Sequence, residues 1–397
     1  MPRNPVDSDT VTPPTAGREA PVPRQVADID ISARKPVHTK RINLGEIETL
    51  QVLDERGKAD TKLAPDLDDE ELLRIHRAMV LARKLDLRML AMQRQGEMGT
   101  FAPGLGQEAT QIGQIYPLRN TDWFVPSYRS LGAQLWRGWT PEALLLLWDG
   151  FFEGFEIPEG INDLPFSIVV GAHVPVATGL GMGIRQRGDD AVVLTNFGDG
   201  AISEGAVNEA FNFAAVYKSP VVFVVENNGW AISIPAHKQS ATAELARRGP
   251  GFGVPAIRVD GNDVLAMIVA TTQAVERARA GDGPTLIEAV TYRMSLHTTA
   301  DDPTVYRSDE EVERWKPRDP LLRFEKYLTG KGLLDAGRID GVGDECEQEV
   351  LDARERFRQR RRPNAREVFD YMFEKLPPWL EAQKREYFDK LDRKEVE

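Results

Sequence analysis

Asp199, set between Gly198 and Gly200, and Asn228, the second residue of the pair Asn227-Asn228, could do chemistry together. Each motif follows an apolar run, Ala191-Val-Val-Leu-Thr-Asn-Phe197 in one case and Pro220-Val-Val-Phe-Val-Val-Glu226 in the other. The residues between the motifs, 201–226, suffice for one helix and one strand. Both motifs then fall at the carboxyl edges of nearby parallel strands, where open α/β sheets bind ligands. Gly198 and Gly200 would let the backbone approach a phosphate closely and turn sharply into a helix beginning near Ser203. That helix would aim its positive end and free N–H groups at an anion. Asp199 and Asn228 supply hard oxygen ligands of the kind magnesium takes, with phosphate oxygens and water completing its shell. Either half alone reads as a turn or a polar loop. At this spacing, each after a buried strand, they describe a magnesium-diphosphate site.

The elements that must position these groups alternate from Asp189 onward. Strands are expected at 191–197, 220–226, Ile257–Asp260 and Thr285–Tyr292, with helices at Glu204–Tyr217 and Val264–Ala280. Near-continuous apolar strands separated by helices imply an α/β fold with a mostly parallel sheet covered on both faces. Upstream, Leu72, Ile75, Met79, Ala82, Leu85, Met89 and Met92 recur at helical spacing and predict a helix from about Asp68 to Gln95. His76 sits one residue off that stripe, as a boundary or surface histidine would. Residues 1–40, interrupted by seven prolines from Pro2 to Pro36, read as a disordered arm, and a short strand-and-turn piece follows at Ile42–Asp54. The α/β domain is expected over 41–320, and 321–397 as a charged helical extension packed on the body or on a partner.

Composition narrows the function. A net charge of −12 over 397 residues argues against a nucleic-acid partner, and no apolar run approaches a membrane span. Cys346, the single cysteine, excludes an internal disulfide and a cysteine-rich metal site, and reads as an inert surface or helix thiol. The N-terminus lacks a signal-peptide pattern and carries several acids, so a reducing cytoplasm is the expected compartment. Gly179-Leu-Gly-Met-Gly183 lacks the dinucleotide-binding spacing and reads as close helix packing. Gly281-Asp-Gly-Pro284 reads as a turn.

The segments Gly198-Asp-Gly-Ala-Ile-Ser-Glu-Gly205 and Asn227-Asn-Gly-Trp-Ala-Ile-Ser233 resemble the thiamine-diphosphate signature. More narrowly, they resemble the α subunits of the decarboxylating component of pyruvate and branched-chain 2-oxo acid dehydrogenases, from roughly Asp66 to the end. The resemblance implies a thiamine-diphosphate-binding fold, with Mg2+ held by Asp199, Asn228 and the backbone carbonyl of Trp230, where relatives often have tyrosine or phenylalanine. Gly198, Gly200 and Ala201 would lie against the cofactor, with Tyr128 beside it and the Arg129 fork on its diphosphate. Ile168 and Val170, in Ile168-Val-Val-Gly-Ala-His-Val-Pro175, would meet the aminopyrimidine ring through their backbones; His173 is given no catalytic role. Tyr292–Arg307 resembles the family's flexible loop, in which His297 is the candidate for substrate orientation or proton transfer and Arg293 supports the loop. Thr298 falls where animal relatives carry a regulatory serine.

Only the diphosphate half of such a site is recognisable, and too little chain follows residue 320 for a second α/β domain. The resemblance therefore implies a β subunit in an assembly of two α and two β chains. It also implies a lipoyl-bearing acyltransferase that receives the acyl group, and a small 2-oxo acid as substrate. Ile157-Pro-Glu-Gly-Ile-Asn162 favours pyruvate, whereas the Gly261-Asn-Asp263 region suits branched-chain acids equally. Two other classes are weighed: an inactive scaffold, opposed by the intact Asp199, Asn228, Arg129 and His297, and a magnesium-dependent phosphate-transfer enzyme, for which no nucleophile or second carboxylate cluster is found.

Overall fold

The run after Pro220 becomes the centre of the molecule. In the computed structural model, which describes residues 47–360 and 364–394, Val221–Asn227 is a strand buried at every position. Val222 and Val224 point to one core, with Ile287 and Met267, while Val221, Phe223 and Val225 point to the other, with Val174, Val207 and Phe211. Period-two alternation with apolar residues on both faces is what a sheet covered on both sides demands. Truncating any of these side chains to alanine is expected to cost about 2–5 kcal/mol.

In chain order the strands are β1 (Thr49–Leu50), β2 (Trp123–Val125), β3 (Asn162–Asp163), β4 (Val193–Gly198), β5 (Val221–Asn227), β6 (Trp230–Ala231), β7 (Ile234–Pro235), β8 (Ala256–Asp260) and β9 (Thr285–Val290). Seven form one sheet in the order β1-β8-β9-β5-β4-β2-β3, with every pairing parallel. After β2 the chain moves outward to β3; after β4 it moves the other way to β5. The reversal opens a crevice at the carboxyl ends of β2 and β4, the position where such sheets take ligands. β6 and β7 stand apart as an antiparallel hairpin just beyond β5.

The long helix α1 (Asp69–Arg94) matches its expected span, and its N-cap Asp68 accepts a hydrogen bond from Glu71 N at 2.8 Å. His76 departs from expectation: it is fully buried, with Nε2 3.2 Å from Glu325 Oε1. The helices Pro320–Gly330 and Ala336–Arg358 pack over α1, and no sequence period in α1 announces that cover. The same packing buries Cys346, whose thiol is pushed up to about 11 by burial. It is an inert helix thiol, as expected, but not a surface one. In α5 (His173–Arg187), a Cβ on Gly181 would lie 2.6 Å from Val221 Cγ2, which accounts for a glycine at this helix–sheet contact. Gly179 and Gly183 face open space.

The arm expected at 1–40, and the beginning of the strand-and-turn piece at Ile42, lie outside the described residues. Among those described, no helix is long and apolar enough to cross a membrane.

Candidate active site

Four chain segments meet at the crevice. Ser127, Tyr128 and Arg129 follow β2, Gly198 ends β4 with Asp199–Ala201 after it, Asn228 and Trp230 follow β5, and His297 lies on the loop after β9; all line one cavity of about 420 Å³. Val170 lines it too. Ile168 does not: it is 61% exposed, and Ser167, Val169, Val170 and Gly171 are the lining residues there.

The floor is a buried polar network that no single motif revealed. Asn196, on β4, donates through Nδ2 to Glu226 Oε1 at 2.8 Å, and its Oδ1 accepts from Ser127 N at 2.9 Å. Gln114 donates to the same Glu226 oxygen at 2.8 Å. This chain of bonds fixes the loop that carries Tyr128 and Arg129. Burial holds the Glu226 carboxyl above its ordinary range, since even two amide donors only partly replace water.

Asp199 is 3% exposed, and burial pushes its carboxyl up to about 6 against the pull of Arg293 and Arg129. Its Oδ2 has no hydrogen-bond partner among the described residues. A buried carboxylate oxygen left in that state is poised for a cation. Asn228 donates through Nδ2 to Gln107 Oε1 at 3.1 Å, and its Oδ1 accepts from Trp230 N at 3.3 Å. Gln107 therefore sets which way the Asn228 amide faces. An acidic oxygen, an amide oxygen and a backbone carbonyl form a hard donor set suited to magnesium.

Neither Gly198 nor Gly200 has a positive φ, so no left-handed turn requires them. A Cβ on Gly200 would lie 2.9 Å from Ala231 Cβ, and one on Gly198 would meet nothing within 4 Å. Gly200 lets the β6–β7 hairpin close over the strand end, while Gly198 leaves the cavity wall bare. The following helix, Gly205–Val216, begins after a 3-10 turn at Ala201–Ser203 rather than directly near Ser203.

Arg129 and Arg293 converge on His297. Arg129 Nη2 donates to His297 Nδ1 at 3.1 Å and to His297 O at 2.9 Å, and Nη1 donates to Pro103 O. Arg293 Nη1 reaches His297 Nδ1 at 3.2 Å and Trp230 O at 3.3 Å, while Nη2 donates to Ile232 O at 2.7 Å. Two cationic donors face Nδ1, so Nδ1 is the acceptor and the neutral ring carries its proton on Nε2. Burial, then the two guanidiniums, lowers His297 to about 4. Burial also lowers Arg293 to about 10, with Arg129 adding to the shift. The loop backbone is tied separately. Asp301 Oδ2 accepts from His297 N at 2.8 Å and from Tyr306 OH at 2.5 Å.

Behind Arg129, Asp86 is 4% exposed, and its Oδ1 accepts from Gly104 N at 2.7 Å. Burial, reinforced by Glu108, pushes Asp86 up to about 7. A carboxyl whose folded pKa is raised contributes stability that is present below its unfolded pKa and lost as pH rises through the folded one. Asp86→Asn is expected to raise stability at pH 8 by about 2 kcal/mol. That is less than the full shift would give, because Arg83 and Arg129 lose an anion. The gain should shrink towards pH 4, as urea midpoints of both proteins at the two pH values would register.

Sequence comparison agrees with this geometry. A family model described as "Dehydrogenase E1 component" matches residues 76–366. The chain is 40% identical over 347 residues to a Staphylococcus epidermidis protein named pyruvate dehydrogenase E1 component subunit alpha, covering 87% of this chain and 94% of that one. It is 42% identical over 357 residues to a Mycobacterium tuberculosis protein named 3-methyl-2-oxobutanoate dehydrogenase subunit alpha, covering 88% of this chain and 95% of the relative.

Proposed function

The chain belongs to the dehydrogenase E1 component family, and from that premise we propose that it is the α subunit of a thiamine-diphosphate-dependent 2-oxo acid dehydrogenase acting on pyruvate. The observation that carries the reading is the meeting of Gly198-Asp199-Gly200 with Asn228 and Trp230 at one cavity, with Asp199 Oδ2 buried and without a partner among the described residues. Asp199, Asn228 and the Trp230 carbonyl would hold Mg2+, and the metal would hold the cofactor diphosphate. Thiamine diphosphate, when bound, supplies the carbanion stabilisation that decarboxylation needs.

This chain's residues bind and orient. The Arg129 guanidinium, now on the carbonyls of Pro103 and His297, would turn its fork to the diphosphate. Val170 and its neighbours line one side of the cavity. His297, at the cavity wall, holds a proton on Nε2 and would donate a hydrogen bond from it to the substrate. A β subunit would complete the cavity, which is rimmed on this chain by the exposed Val169, Val170 and Ile232. A lipoyl-bearing acyltransferase would receive the acyl group.

A branched-chain 2-oxo acid is the second reading, favoured by the relative named for 3-methyl-2-oxobutanoate at 42% identity. The two readings share every site residue described above and differ only in the acid accepted. Calorimetric titration of thiamine diphosphate with Mg2+ should show tight, metal-dependent binding when the chain is mixed with its candidate β subunit, and weak binding to the chain alone. Assay of the mixture with pyruvate and with 3-methyl-2-oxobutanoate then ranks the substrates by kcat/KM. Absence of binding in a mixture whose chains demonstrably associate would leave an inactive relative instead.

A further inference from the structure

The β6–β7 hairpin carries the Trp230 carbonyl, yet little inside the hairpin explains why it keeps its shape. Each strand has only two residues. Ile232, in the turn, has φ 55°, a left-handed conformation that a β-branched side chain disfavours. Such a residue stores on the order of 1–3 kcal/mol and persists only where the surroundings over-determine it. Ile232 and Ile234 are 55% and 47% exposed, so burial of the turn does not hold it. The constraint must come from outside the hairpin.

Arg293 supplies part of that constraint through the carbonyls of Ile232 and Trp230, and the Trp230 side chain reaches a second part. Its indole is nearly buried, packs against the Tyr306 ring with centroids 5.2 Å apart, and donates from Nε1 to Glu311 Oε1 at 2.8 Å. The same Glu311 oxygen accepts from Tyr292 OH, also at 2.8 Å. Tyr292 opens the loop that bears Arg293 and His297, and its ring stacks on Trp315 at 4.9 Å with the planes 6° apart. Glu311 and Trp315 belong to one short helix, Asp309–Trp315, whose N-cap Ser308 accepts from Glu311 N. One carboxylate oxygen thus joins the metal-bearing hairpin, the catalytic loop and a helix 81 residues along the chain from Trp230. Among the described residues no lysine or arginine forms an ion pair with Glu311, so its charge strengthens these two hydrogen bonds alone.

We propose that Glu311 is a positioning residue for the metal site, fixing the Trp230 hairpin so that its carbonyl stays in register with Asp199 and Asn228. The assignment rests on the magnesium-thiamine-diphosphate reading of the cavity. Magnesium demands near-octahedral oxygens at about 2.0–2.1 Å, so a hairpin free to shift by a fraction of an ångström loses metal before it loses its fold. Partners one bond removed from a ligand typically change metal affinity by about 10–100-fold.

The test measures the Mg2+ concentration that half-saturates thiamine diphosphate binding to the chain combined with its β subunit. Glu311→Ala is expected to raise that concentration about tenfold, with kcat at saturating Mg2+ close to wild type. Glu311→Gln should restore most of the affinity, because its amide oxygen still accepts both bonds. Trp230→Phe removes only the indole donor and should match Glu311→Ala, with little further loss when the two are combined. Wild-type magnesium demand in a folded Glu311→Ala protein would overturn the proposal, as would a Glu311→Gln protein no better than alanine. Should Glu311→Ala fail to fold, unchanged magnesium demand in Trp230→Phe would overturn it equally. Metal-independent cofactor binding by the wild type would overturn the underlying reading itself, a result separable from any of these.

Discussion

Asp199→Ala is expected to remove magnesium-dependent binding of thiamine diphosphate and to lower kcat/KM about a thousandfold. The carboxylate is 3% exposed, and nothing among the described residues bonds its Oδ2. Water has been taken from this anion and no protein donor replaces it there, so the folded chain carries a cost that a divalent cation would relieve. Breaking a buried charge pair by deleting one member costs about 3–5 kcal/mol, and each 1.4 kcal/mol is a decade in an equilibrium constant. That range brackets the thousandfold loss. The metal-free chain should respond in the opposite sense. Asp199→Asn removes a buried, poorly solvated charge while keeping the side-chain shape, so its melting temperature without Mg2+ should equal or exceed that of the wild type. Wild-type magnesium-dependent binding by Asp199→Ala would exclude the residue as a ligand.

What the sequence made legible follows from what is local. β4, β5, β9 and α1 were readable because burial on two faces or one stripe imposes a period on neighbouring residues. The positions of Asp199 and Asn228 were readable for a related reason, since each directly follows a buried strand. Gln107 and Glu311 were missed because their partners, Asn228 and Trp230, lie 121 and 81 residues away and no motif joins them. Glu226 stood in plain view as the last residue of an apolar run, but its role as an acceptor for Asn196 and Gln114 needs three dimensions. The β6–β7 hairpin left no trace because its turn holds Ile232 at positive φ, where sequence rules expect glycine or asparagine.

His297→Ala is expected to lower kcat by about 10²–10³-fold while changing thiamine diphosphate affinity far less. A positioned acid or base contributes roughly 10²–10⁴-fold, and His297 lies on the loop after β9, at the cavity wall. The substitution reads chemistry rather than loop collapse, because the His297 backbone stays tied through N to Asp301. With Nδ1 occupied by two guanidiniums and the ring held near a pKa of about 4, the imidazole is neutral at pH 7. A folded pKa below the ordinary histidine value means stability that is present above about pH 6.5 and lost as pH falls towards 4. Accordingly, in the cofactor-free chain a His297→Ala difference NMR spectrum should find the ring signal flat between pH 6 and 8. His297→Asn separates the two tasks open to the ring. It presents an N–H but cannot shuttle a proton near neutrality, so partial rescue assigns His297 to hydrogen-bond donation and no rescue assigns it to proton transfer. An alanine variant with wild-type kcat would remove His297 from the reaction.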